Sequence, residues 1–317
     1  MKALALPAAV LALLGRHGTL IAACSIFVGL AFPALAAACK PYLGEVIVVM
    51  IVLSFLRVDP DELRSHWTSP RLILATNVWV LLVLPVVLGL LFVGAGVNAA
   101  MPGLYFMLVL QMSAPGLMSS PAIAAMLGLD AALTLASLIV GTAAVPLTAS
   151  LFTHVFLGSV VISPVAFGLR LFLIIAGSAA AAAIVRRLAG HAFIEAQRGR
   201  IDGLNVIAFA MFAIAAMDGV PAHFRADPAL VVKLTGLAFL LALGQIAVTA
   251  LIFRRAGAGR AFAIGMIAGN RNIGLMLAAT GFAIPDVAWL YFALAQLPIY
   301  LLPHLLRPLA RRLSEKR

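Results

Sequence analysis

The chain has 317 residues, 64% hydrophobic and 10% charged, with a mean hydropathy of +1.14 and a formal net charge of +11. A soluble chain carries roughly a quarter charged residues, and no core of this size hides so much apolar surface from water. The solvent it is built for is lipid. Its basic residues sit in short clusters between apolar runs, with no aromatic-interleaved basic face, which argues for membrane orientation and against nucleic acid.

The first stretch, MKALALPAAVLALLG, joins a lysine to a short apolar run. We expect residues 1–17 to form an interfacial segment, helical over 3–15, with Arg16 and His17 at the headgroups. The alternative is a cleaved signal ending at PALAAAC, which would remove a run that the remaining topology uses. A bilayer core of about 30 Å takes roughly 20 apolar residues per helix. On that measure ten spans follow, at 18–37, 41–57, 72–95, 103–128, 131–158, 164–185, 203–217, 229–253, 261–284 and 287–306. The runs are too long for strands and lack alternation, so the expected fold is an all-α polytopic membrane protein.

Polar residues within these runs are few. Glu45 is the one clearly intramembrane carboxylate, about a turn from the outer end of the second span. Asn77, Gln111, Gln245 and Gln296 are isolated amides, each suited to a hydrogen bond across helices worth about 1 kcal/mol. Cys24 and Cys39 signal neither a disulfide framework nor a metal site. The histidines are scattered, with no HExxH spacing and no phosphate-binding glycine loop after a strand. An enzyme would need a catalytic cluster at one depth, and none is present; we expect no enzymatic activity and no organic cofactor.

Basic residues set the orientation. With the N-terminus inside, the cytoplasmic face receives Lys2, Arg16, Arg57, Arg64, Arg71, Arg186, Arg187, Arg198 and Arg200. It also receives Arg254, Arg255, Arg260, Arg307, Arg311, Arg312, Lys316 and Arg317. The opposite face has Lys40 and Arg225, with Arg170 and Lys233 near enough to snorkel. Both termini are therefore expected in the cytoplasm. Ten spans split into two five-helix repeats, 18–158 and 164–307, followed by a basic tail over 308–317. Because five is odd the repeats are inverted, a common plan for secondary transporters.

The fourth span of each repeat is interrupted. In the first, QMSAPGLMSSPAIAAML carries Pro115, Gly116 and Pro121; in the second, IAGNRNIGLMLAAT carries Gly269 and Gly274. Irregular backbone at membrane depth survives only inside protein or against a watery cavity, so matched breaks point to a midplane site. Arg271 lies in the second break between Asn270 and Asn272. A charge at helix centre costs roughly 2.5–3.5 kcal/mol on insertion scales and needs a partner. Its planar guanidinium suits a carboxylate, sulfate or phosphate, or it pairs with broken-helix carbonyls and holds the crossing together. Ser119, Ser120 and Thr134 offer hydroxyls near the other break, although such hydroxyls also bond their own helix backbone.

The stretches SAPGLMSSPAIAAMLGLDAALTL and AGNRNIGLMLA resemble the fourth- and ninth-helix words of the bile acid:sodium symporter superfamily, bacterial branch. The resemblance implies ten spans with helices 4 and 9 broken and crossing. It also implies a panel (18–57 with 164–217) and a core (72–158 with 229–307) that move against each other. It implies an organic-anion substrate, two Na⁺ behind the crossing and a bacterial inner membrane. The sequence departs where sodium would bind. Ile267 stands at the family's glutamate, Arg271 at its glutamine, and Ser120–Pro121 at its Ser-Asn pair. Asn272, Gly269, Gly274 and Leu275 are kept, and Thr134 stands in as a hydroxyl. The residual sodium set would be Ser120, Thr134 and Asn272, with Asn77, Gln111, Gln296 and Glu45 as further polar lining. The expectation is transport of a small organic anion with sodium coupling weakened or absent. Arg271 then either replaces sodium internally or faces the cavity. The alternatives are a sodium symporter with relocated ligands, and a membrane-embedded enzyme or sensor.

Overall fold

The computed structural model describes residues 11, 13–15, 18–58, 69–158 and 163–314. The described residues are helical, with no strand among them. In chain order the helices are α1 (Gly18–Ala31), α2 (Pro33–Cys39), α3 (Leu43–Leu56), α4 (Pro70–Val78), α5 (Leu84–Gly94), α6 (Val97–Ala100), α7 (Pro102–Ser113), α8 (Ser120–Met126) and α9 (Ala131–Leu157). Then follow α10 (Pro164–Ala189), α11 (His191–Ala196), α12 (Arg198–Ala216), α13 (Val220–Ala226), α14 (Pro228–Ile252), α15 (Ala258–Gly269), α16 (Ile273–Thr280), α17 (Asp286–Leu305) and α18 (Arg307–Ser314). Proline opens α2, α4, α7, α10 and α14. The first turn of a helix has no acceptor for its N–H groups, so proline's missing donor is harmless there.

Among the described residues, seven helical stretches are long and apolar enough to cross a membrane: Pro33–Leu56, Pro70–Gly94, Ala131–Leu157, Pro164–Ala189, Arg198–Ala226, Pro228–Ile252 and Asp286–Leu305. The chain is a multi-pass membrane protein. Three expected spans lack a helix of that length. The expected 18–37 is cut at Phe32–Pro33, because proline removes a donor and α2 joins the following stretch instead. The expected 103–128 and 261–284 are cut by breaks at 114–119 and 270–272, leaving the shorter apolar helices Pro102–Ser113 and Ala258–Gly269. The interfacial segment expected at 1–17 lies almost wholly outside the described residues.

The chain divides into two compact units, 1–59 with 173–228 and 60–172 with 229–317. In the first unit, small residues let helices close up. A Cβ on Gly29 would lie 2.7 Å from the Ile214 carbonyl. Ion pairs hold its edges, Lys40 to Asp218 at 2.8 Å and Arg57 to Asp202 at 2.8 Å. Arg186 Nη2 donates to the carbonyls of Leu56 (2.8 Å) and Val58 (2.6 Å), satisfying acceptors at the C-terminal end of α3. Glu45 is exposed in the first turn of α3, where the helix dipole favours a carboxylate.

In the second unit, α14 and α15 approach through glycine. A Cβ on Gly265 would lie 2.7 Å from the Ile246 carbonyl, and one on Gly269 2.7 Å from that of Ala242. Small residues four apart permit such contact between membrane helices. Asp130 caps α9, accepting from Leu133 N (2.9 Å), and its other oxygen pairs with Arg260 Nε at 3.0 Å.

Candidate functional site: two broken helices stitched by a buried arginine

Within the second unit the two breaks meet. Gly116 and Arg271 form an antiparallel backbone bridge. Leu117 N donates to Asn270 O (2.9 Å) and Asn272 N to Pro115 O (2.9 Å). Each break thus satisfies donors that its own helix no longer serves, as a buried backbone requires. At the junction, Ile267 presses on Gly116. A Cβ on that glycine would lie 2.8 Å from Ile267 Cγ2.

Arg271 is fully buried. Its Nε donates to Ala268 O (2.7 Å), and its Nη1 to Ala114 O (2.8 Å) and Val80 O (3.1 Å). Each carbonyl is free for a reason in the sequence. Ala268 O would take the N–H of Asn272, which is diverted to Pro115. Ala114 O stands past the end of α7, where the chain turns extended. Val80 lies in a wide helical turn, Trp79–Val83, in which Leu84 N reaches back five residues to Trp79 O. The next donor in that pattern would be residue 85, a proline with no N–H. Arg271 therefore supplies the donors that two broken helices and one proline withhold. Nη2 is buried and has no hydrogen-bond partner among the described residues.

The other expected site residues distribute as follows. Asn272 caps α16, its Oδ1 accepting from Leu275 N at 3.2 Å. Asn270 Nδ2 donates to Met266 O (3.0 Å), and its Oδ1 is buried without a hydrogen-bond partner among the described residues. Neither amide binds the guanidinium. Ser119 is half-buried at the start of α8, and Ser120 is buried with its hydroxyl unpartnered among the described residues. Thr134 donates to Asp130 O (2.8 Å). No hydrogen bond joins Ser120, Thr134 and Asn272, and two of these three already serve helix ends. No group of three His, Cys, Asp or Glu suited to a metal occurs among the described residues.

Three of the isolated amides turn back on their own helices. Asn77 donates to Ile73 O (2.9 Å), Gln245 to Leu241 O (3.1 Å) and Gln296 to Phe292 O (3.0 Å). Gln111 is buried beside the Tyr291 hydroxyl. Of the residues named as helix breakers, Pro115 and Gly116 lie in the first break, while Pro121 sits in the first turn of α8. Gly269 ends α15, and Gly274 lies inside the first turn of α16. Sequence reasoning missed Val80 and the proline behind it; the signal was Pro85 in the middle of WVLLVLPVVL.

No protein-family model matches the chain, and no curated protein matches it.

Proposed function

We propose that the chain is a secondary transporter of a small organic anion, in which Arg271 takes the place of a bound sodium ion. The observation that carries this reading is the bridge between the two breaks, with a buried guanidinium tied to three backbone carbonyls. Discontinuous helices meeting inside a membrane protein are the recurrent frame of a transporter's midplane site. The guanidinium's carbonyl partners favour the internal-cation role over direct contact with substrate. With Ile267 at the family's carboxylate position, no carboxylate is there to offset the desolvation of Na⁺, and a fixed charge beside it repels the ion.

The fuller reading keeps ten spans in two inverted repeats, membership of the bile acid:sodium symporter superfamily, a bacterial inner membrane and cytoplasmic termini. The segments grouped in the two units support it. Apart from 164–172, they are those the resemblance assigns to panel and core. Alternating access would then come from motion of one against the other.

The test is uptake of a panel of radiolabelled mono- and dicarboxylates into proteoliposomes, with Na⁺ or K⁺ outside. The expected result is uptake of at least one acid that is equal in the two salts and lost in Arg271→Gln. No uptake of any acid would contradict the transporter reading, and uptake that needs Na⁺ would contradict the internal cation.

A further inference from the structure

We propose that one end of the second unit carries a binding surface for anionic phospholipid headgroups, built from two arginine clusters far apart in sequence. The first follows α14, with Arg254 and Arg255 exposed in a tight 3-10 turn. The second is α18, which follows α17 and exposes Arg307, Arg311 and Arg312. Packing unites them. Ala310 of α18 is fully buried in an apolar cluster with Phe262 and Met266 of α15, and a Cβ on Gly259 would lie 3.8 Å from Leu313 O. The start of α15 thus holds α18 in place, and five guanidinium groups come to the same end of the unit.

That end is also where two apolar helices of membrane-spanning length, α14 and α17, stop. Leu251, Ile252, Leu305 and Leu309 are exposed beside the arginines, at 61%, 50%, 64% and 46%. Apolar side chains facing outward next to guanidinium groups match a phospholipid, with acyl chains against the leucines and phosphate against the arginines. Guanidinium groups bind phosphate bidentately, and basic clusters at a membrane surface attract anionic lipid. An amphipathic helix in the interface plane is the usual carrier. Of the five, Arg311 is already engaged, which leaves Arg254, Arg255, Arg307 and Arg312 for the headgroups. The one carboxylate between residues 251 and 314 is Asp286, at the opposite end of α17, while Asp130 is engaged by Arg260. Topology alone would place arginines on this side of the membrane, but it would not gather two clusters through a buried contact.

The test compares thermal unfolding in nanodiscs of phosphatidylcholine and of equimolar phosphatidylcholine and phosphatidylglycerol, with native mass spectrometry to identify retained lipid. The patch variant carries Arg254→Gln, Arg255→Gln, Arg307→Gln and Arg312→Gln. A control removes the exposed Arg187, Arg198, Arg200 and Arg225 of the first unit by the same change. The expected result is a higher midpoint with phosphatidylglycerol and retained phosphatidylglycerol for wild type and control, both lost in the patch variant. If the patch variant does not fold, the pair Arg254→Gln/Arg255→Gln on the exposed turn should show a partial loss. A wild type indifferent to phosphatidylglycerol would overturn the proposal, as would an unchanged preference in the variants or an equal loss in the control. Inorganic phosphate in detergent that reproduces the full stabilisation would also overturn it, since the occupant would then be the ion and not the lipid.

Discussion

At the scale of the residue, the question is why lipid-embedded sequence keeps an arginine. The guanidinium at 271 acts as a multi-armed donor for backbone that has lost its own. Removing it strands three buried carbonyls, each costing roughly 1–3 kcal/mol when unsatisfied. Lysine is not an equivalent, because its single ammonium cannot spread donors over acceptors lying in different directions. We therefore expect Arg271→Gln to lower the thermal midpoint in detergent substantially and Arg271→Lys to lower it by less. An Arg271→Gln protein that melts with wild type would show that these bonds contribute nothing. The sequence GNRN made Arg271 and its depth legible. Pairing with broken-helix carbonyls was one of its two readings, but which carbonyls was hidden, because that depends on where each helix stops and on the distant turn at Val80. Asn272 proved to be a helix cap, and capping asparagines are visible only once the helix boundary is known.

At the scale of the element, the breaks themselves were legible, since proline and glycine interrupt two apolar runs at corresponding places. The extent of the helices was not. Apolar residues resume soon after 114–119 and directly after 270–272, so hydropathy counts one span where the structure has two short helices. The wide turn at Trp79–Val83 was equally hidden, although its cause, Pro85, stands in plain view. This turn yields a prediction. Pro85→Ala restores a donor that can reach Val80 O and compete with Arg271 for it. In a double-mutant cycle of Pro85→Ala with Arg271→Gln, the stability losses should be non-additive by about 1 kcal/mol, within the range for groups sharing a partner. The restored N–H would partly rescue the carbonyl that the glutamine variant abandons. Strict additivity would mean that the turn and the arginine are unrelated.

At the scale of the whole molecule, length, hydropathy and the spacing of basic clusters were enough to read a multi-pass helical membrane protein, because lipid admits few architectures. The grouping of distant segments into two units depends on packing that no local pattern states. Coupling to an ion is a property at this scale, and the proposed function rests it on one fixed charge. A ligand that binds only the folded state stabilises it by mass action, whereas a charge built into the chain needs no ligand. The most direct test is the thermal midpoint of the purified protein with Na⁺ exchanged for K⁺ or choline at constant ionic strength, beside Arg271→Gln in the same salts. The expected result is one midpoint for wild type in all three salts and a much lower one for the variant. A wild-type midpoint raised by several degrees in Na⁺ alone would contradict it, and would mean that sodium still binds and that Arg271 does not stand in its place.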